Sequence, residues 1–302
     1  MKFLHILNPF KSDPDRDVFV SQPIAFESIK RAKLFSDKDL EIELLATVFK
    51  EDEEVLPRHF TRLDDLEDYY ESNNQNKKKY PFIRDVLDRA YKFSENADYI
   101  IHSETDISVM PYFYNTIHDL INNGHDAIII NTRIIPNKYK NVNQLNLMWS
   151  EVGEKHPGWD CFVFNVNLYK RFKLGKTIVG VNSVGKMLYI NLRYHAKKFI
   201  EIKNSHLTFH IGKSESLLTI YDYKKYPFWV KCNKANEEEV LSLLNEIKSK
   251  NAKKEIGWIN EMISDTQIRI GRYTNAMSDD NNQRHFGYWF FKKIKKFLNF
   301  SS

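Results

Sequence analysis

Residues 97–114 read ADYIIHSETDISVMPYFY. Tyr99, Ile100 and Ile101 form a short run of β-branched and aromatic residues, the composition of a strand buried in a sheet. His102, Ser103, Glu104, Thr105 and Asp106 follow at once, and then Pro111 and an aromatic-rich helix start. In an open α/β sheet, ligands bind in the crevice beyond the carboxyl ends of the strands. A strand that ends in Glu-x-Asp therefore delivers two hard oxygen ligands to the place where a metal-bound phosphate would sit.

The sequence before this stretch supplies the rest of such a sheet. Residues 3–7 (FLHIL) form a first strand, broken by Asn8 and Pro9. Residues 21–35 place Ile24, Ile29, Ala32, Leu34 and Phe35 at helical spacing, and residues 42–49 (IELLATVF) form a second strand. Strand, helix, strand in this order predicts a parallel sheet covered by helices. Residues 81–93 (PFIRDVLDRAYKF) begin with proline and repeat apolar positions every 3.6 residues, so a helix is expected there. Its Arg84 lies near the N-terminal end and faces either solvent or a phosphate.

After it come a helix over 112–121, closed by Asn-Asn-Gly, and a strand over 126–131 (DAIIIN). Residues 137–146 are polar and read as a flexible loop. His156-Pro-Gly-Trp159-Asp160 then leads into a short strand, CFVF, at 161–164. A helix over 186–193, an edge strand over 199–202 and the segment SHLTFHIG at 205–212 complete the series. The expectation is an α/β domain over 1–214 with a mostly parallel, doubly wound sheet. Residues 215–302 change character. They hold an amphipathic helix at 237–250, another at 255–263, a polar linker at 274–283 and the tail FGYWFFKKIKKFLNF at 286–300.

Composition narrows the function classes. With 42% hydrophobic and 14% aromatic residues among 302, the chain can bury a core and global disorder is excluded. The 45 basic and 40 acidic residues leave a net charge of +5 that is too scattered to mark a nucleic-acid partner. Cys161 and Cys232 lie far apart, which gives neither a disulfide framework nor a zinc knuckle and suits a reduced, cytoplasmic setting. No apolar run is long enough to span a membrane, and the apolar core of the N-terminus is too short for a secretory signal. The aromatic and lysine content of 286–300 suits the interface of an anionic membrane, so peripheral contact with its inner face is expected, with docking on the parent domain as the alternative. Neither GxGxxG nor a Walker sequence occurs, which argues against a dinucleotide dehydrogenase and a P-loop kinase.

Three constellations could carry chemistry. Glu104 and Asp106, at i and i+2, can reach one divalent ion directly or through its waters. His206 and His210 share a side of an extended segment, so both imidazoles can look into one crevice; the other reading is a pair of structural histidines. The Pro-Gly turn presents His156, Trp159 and Asp160 just before a buried strand. There Trp159 could stack on a sugar or base and Asp160 could take a proton, or the pair could be a packed indole and a capping carboxylate.

With these residues in hand, the chain resembles the GT-A type of nucleotide-sugar glycosyltransferase, and in particular uncharacterised bacterial glycosyltransferase-like proteins of polysaccharide clusters. The resemblance rests on FLHILNPF, ESIKRAKLF, PFIRDVLDRAY, ADYIIHSETDISVMPYFY, DAIIINTR, HPGWDCFVF and HLTFHIG, in that order, over roughly residues 1–212. It implies a metal-dependent transfer of a sugar from a nucleotide-sugar donor to a glycan or glycolipid acceptor in polysaccharide biosynthesis. Glu104 and Asp106 match the metal motif for Mn²⁺ or Mg²⁺, although the first position is Glu rather than Asp. His210, or His206, would complete the metal shell. Asn8, Pro9 and Arg84 would contact the nucleotide, Asp160 would act as base, and His156 and Trp159 would bind the acceptor. A nucleotidyltransferase on a related fold, or a non-catalytic carbohydrate- or membrane-binding protein, are the other readings.

Overall fold

The computed structural model describes residues 1–71, 78–156, 158–203, 205–212, 227–251 and 257–278. The first elements follow the apolar runs: β1 (Lys2–Leu7), α1 (Asp17–Phe35), β2 (Glu41–Ala46) and β3 (Thr61–Arg62). A small ribbon of β4 (Tyr69–Glu71) and β5 (Lys79–Pro81) leads into α2 (Ile83–Lys92). The central stretch gives β6 (Tyr99–Ser103), β7 (Ser108–Val109) and α3 (Phe113–Asn122). Next come β8 (Ala127–Ile130), β9 (Arg133–Ile135), α4 (Leu145–Ser150), β10 (Glu154–Lys155), β11 (Cys161–Asn165) and α5 (Val166–Tyr169). The chain continues through α6 (Val184–His195), β12 (Phe199–Ile202), β13 (Thr208–Ile211), α7 (Pro227–Lys250) and α8 (Gly257–Ser278).

The main sheet has the order β12-β8-β11-β6-β1-β2-β3. It is mostly parallel, as the resemblance to GT-A glycosyltransferases implies, with one departure from a simple doubly wound series. β11 runs antiparallel to both of its neighbours, β6 and β8. A second sheet, β10-β9-β13-β7, stands at the carboxyl edge of the first, because β7 and β9 follow directly from β6 and β8.

Alternation along each strand divides the core in two. Leu4, Ile6, Ile100, Ile129, Phe162 and Phe164 face α2, α6 and α7, with Val86, Leu188 and Leu244 among the covering side chains. On the other face Phe3, Ile42, Ile101, Ile128 and Val163 meet Ile29 of α1 and Ile117 of α3. The helices of the C-terminal region thus share a core with the sheet. They are also joined by charge: the buried Lys186 ammonium of α6 reaches Glu237 of α7 at 2.9 Å and Asp265 of α8 at 3.0 Å. Glu237 in turn accepts from Ser183 Oγ at 2.7 Å, which helps hold Ser183 in left-handed backbone at φ 77° ahead of α6.

Two expectations for the loops are corrected. Residues 137–146 are ordered at their end by a capping box, in which Asn141 and Gln144 bond reciprocally around a 3-10 turn that runs into α4, and Leu145 is fully buried. Residues 274–278, expected as linker, continue α8, anchored by the buried Tyr273. The basic aromatic tail at 286–300 lies outside the described residues, as does the junction at 214. No helix among the described residues is long and apolar enough to cross a membrane.

Two histidines sit inside the central strands. His5 has the hydroxyls of Tyr114 and Ser103 at 2.8 and 2.9 Å from its ring nitrogens, so the neutral ring can accept from one and donate to the other. Burial pushes the His5 pKa down to about 3 and that of His102 down to about 4. The unfolded chain, whose imidazoles titrate near 6.5, therefore takes up protons first as the pH falls. The contribution of these two rings should be constant above pH 6.5 and decline between 6.5 and 4, by up to about 1.4 kcal/mol per pH unit for each ring. Urea unfolding at pH 7, 6 and 5 checks this, and His5→Gln should reduce the slope by about one proton.

Candidate functional site

The antiparallel course of β11 brings two distant pieces of sequence together. Cys161 pairs with Ser103, and one step further the Glu104 backbone N–H donates to Asp160 O at 3.1 Å. Residues opposite each other in an antiparallel ladder project to the same face with Cβ atoms about 5 Å apart. Glu104 and Asp160 are therefore cross-strand neighbours at the carboxyl edge of the sheet, on the face that α2 and α6 cover. Asn8 follows β1 on the other side of β6 and ties the strand ends by donating from Nδ2 to Thr47 O at 2.9 Å.

The second sheet adds the histidine. β13 pairs with both β7 and β9, and this places His210 against Asp106, with Nε2 at 3.1 Å from Oδ2. His210 Nδ1 lies 2.9 Å from the carbonyl of Gly212, so Nδ1 carries the proton and Nε2 is the nitrogen that faces the carboxylate. His156 closes the group: its Nδ1 is 3.0 Å from Asp160 Oδ2 and equally far from Gly158 N–H. The Nδ1–H tautomer donates to the carboxylate, whereas the other accepts from Gly158. Asp160 is 7% exposed, and its Oδ2 has no well-formed hydrogen bond among the described residues.

Charge is crowded here. Glu104 opens to solvent, yet the protein packed round it strips part of its hydration, and Asp160 and Asp106 lie near, so its pKa is pushed up. Its open side tempers that rise. Burial acts the same way on Asp106, but the facing His210 outweighs it and holds the carboxyl below its ordinary value. For His210, burial pulls down and Asp106 pulls up harder, raising the ring to about 9. The pair thus shares a proton that a divalent cation could replace. Nε2 already points at the carboxylate, and Nδ1–H is fixed on a carbonyl, the support that a ligating imidazole ordinarily has. Asp106 and His210 offer the oxygen and nitrogen donors a divalent cation takes, but no group of three His, Cys, Asp or Glu side chains among the described residues is placed to hold a metal ion.

The other expected residues fall elsewhere. His206 stays outside the cluster; its backbone carbonyl accepts from Tyr112 Oη, and its lowered pKa follows from burial and Arg133. The Trp159 indole stacks on Tyr189 at 4.4 Å and donates to Glu201 at 2.7 Å, so the packed reading describes it. Close approach of α6 requires Gly185 here, since a Cβ would lie 2.6 Å from Trp159 O. Arg84 pairs with Asp68 and lines a separate hollow of about 280 Å³ with Asp88, Tyr91 and Tyr169. Pro9 is buried, and burial pushes the Cys161 thiol well up, as expected of an inert cysteine.

No family model matches this chain, and no curated sequence does. Solved structures do. Residues 1–349 of S. aureus TarS in complex with UDP-GlcNAc share 11% identity over 92% of this chain and 82% of that one, with a TM-score of 0.45. A second crystal structure of TarS 1–349 gives 11% identity over 94% and 76%, at a TM-score of 0.47. The 4-diphosphocytidyl-2C-methyl-D-erythritol synthase of Anaerococcus prevotii gives 14% identity over 71% and 94%, at 0.34. At such identities these are likenesses of fold.

The Asp106–His210 pair sets a pH window for the metal-free protein. The raised His210 pKa contributes stability that is complete below 6.5 and vanishes as the pH passes about 9. The lowered Asp106 pKa contributes above its ordinary 3.8 and is lost as the pH falls through the lowered value. In EDTA, the thermal midpoint should drop between pH 7 and 10, and His210→Asn should abolish that part of the drop; a parallel profile for the two proteins would refute the pairing.

Proposed function

We propose that the protein is a metal-assisted glycosyltransferase that moves a sugar from a nucleotide-sugar donor to a hydroxyl of a glycan or glycolipid. The observation that carries this reading is the pairing of two unlike functions at one sheet edge. Asp106 faces His210 with Glu104 near them, donor types a cation takes, and beside Glu104 stands a buried carboxylate, Asp160, with an oxygen left over. When bound there, Mn²⁺ or Mg²⁺ would neutralise the charge that develops on the departing diphosphate. Asp106 and His210 would hold the ion, and Glu104 would reach it from the open side.

Asp160 does the proton chemistry. The acceptor oxygen bonds to the anomeric carbon, the bond from that carbon to the diphosphate breaks, and the hydroxyl proton passes to Oδ2 of Asp160. His156 Nδ1 accepts from Gly158 N–H and stands beside Oδ2 without capping it, so that oxygen stays free for the proton. Such a base favours sugar transfer over nucleotidyl transfer, whose attacking phosphate is already ionised and would be repelled by Asp160.

A thermal-shift panel of UDP-, GDP-, CMP- and TDP-sugars, with and without Mn²⁺, tests this; UDP-GlcNAc, the ligand held by TarS, is the first to try. Stabilisation should need metal and one nucleotide together, reaching about 2.7 kcal/mol at a hundredfold excess over Kd. Asp106→Ala should lose it, whereas Asp160→Asn should keep it and lower kcat by about 10²–10⁴-fold. Donor turnover in Asp106→Ala at the wild-type rate would overturn the metal assignment. For a glycolipid acceptor, removing residues 286–302 should reduce sedimentation with anionic vesicles.

A further inference from the structure

The row of side chains at the sheet edge continues one strand past Asp160. In the ladder between β11 and β8, Cys161 pairs with Ile130, so the residue next to Asp160 on that side is Asn131. Its backbone stays in the sheet, with N–H donating to Ile202 O at 2.9 Å. Ala127 and Ile129 face the core under α6, and Ile128 and Ile130 face the opposite one, so alternation puts Asn131 on the face of Asp160 and Glu104.

Asn131 is 4% exposed, and its Oδ1 finds no hydrogen-bond partner among the described residues. The neighbouring Oδ2 of Asp160 is in the same position. A buried oxygen without a donor is costly, and native structures rarely leave one that way without a reason. Here two stand side by side at the ligand edge. The next residue along, Thr132, is satisfied within the chain, its Oγ1 donating to Thr208 Oγ1 at 3.0 Å, so of this strand end only the Asn131 side chain is left open.

We infer that Asn131 is a second contact for the acceptor sugar, hydrogen-bonding a hydroxyl next to the one that Asp160 deprotonates. The inference rests on the transferase reading above and extends it. Neighbouring strands lie about 4.8 Å apart, close enough for the two side chains to converge on hydroxyls of one sugar ring. An amide both donates and accepts, which suits a hydroxyl; a second carboxylate would repel Asp160, and an apolar group would leave both oxygens orphaned. Glu104 lies on the other side of Asp160. The row therefore reads Glu104 at the diphosphate end, Asp160 at the reacting hydroxyl and Asn131 at the acceptor end.

Saturation-transfer NMR with the methyl glycosides of glucose, galactose, mannose and N-acetylglucosamine tests this on the full chain. Wild-type protein should bind at least one of them. Asn131→Ala and Asn131→Ser should weaken that binding at least fivefold. In ¹⁵N-labelled wild-type protein the Asn131 side-chain amide should shift on addition of the glycoside, a readout independent of how the variants fold. An unmoved amide, wild-type affinity in both Asn131 variants, or no binding of any of the four glycosides overturns the inference. Glycoside binding that depends on Asn131, together with no metal-dependent response to any nucleotide sugar, would instead sink the transferase reading alone.

Discussion

The direction of one strand governs this molecule. β11 is inserted against the grain of the sheet, between β6 and β8. In a wholly parallel sheet every strand brings its carboxyl end to the ligand edge; β11 brings its amino end. The residues that precede it therefore reach the edge from the opposite direction and interleave with the ends of two other strands. The ladder cannot slip, because a shift of one residue would exchange the faces of Phe162 and Phe164 with those of Cys161 and Val163, which fill different cores. Apolar packing thus holds three polar side chains, Glu104, Asp160 and Asn131, in a fixed row.

The second sheet contributes what the first cannot. A strand end offers carboxylates, but an imidazole aimed at them must come from above the edge, and β13 supplies it by pairing with the short strands that prolong β6 and β8. The contact between Asp106 and His210 spans 104 positions of sequence. It is an electrostatic clasp across the crevice, set among more negative charge than it cancels.

The apolar runs were legible as strands, and the i, i+2 carboxylates at the end of β6 were legible as a candidate site, because burial and strand ends leave periodic traces. The direction of β11 leaves none: CFVF reads the same whichever way it runs. Equal spacing could not separate His206 from His210, because only the latter lies within β13. Trp159 before a buried strand looks alike whether its ring meets a ligand or, as here, Tyr189. The capping box at Asn141 and Gln144 is a local sequence signal inside an otherwise polar stretch. α8 turns Ile259, Ile263, Thr266 and Tyr273 inward, and past Ile263 only Tyr273 of these is apolar, too little to announce its full length. Asn131 is a single amide at a strand end and gains meaning only from its neighbour.

The Lys186 ammonium bears on how the chain is made. Its carboxylate partners lie 51 and 79 positions later in sequence. On a ribosome, α6 would emerge carrying a cation with no counter-charge and an apolar flank with nothing to cover it. Leaving one partner of a buried pair without the other is strongly unfavourable. The core face of the sheet that carries the candidate site is thus closed by α7 and α8, segments synthesised after its last strand.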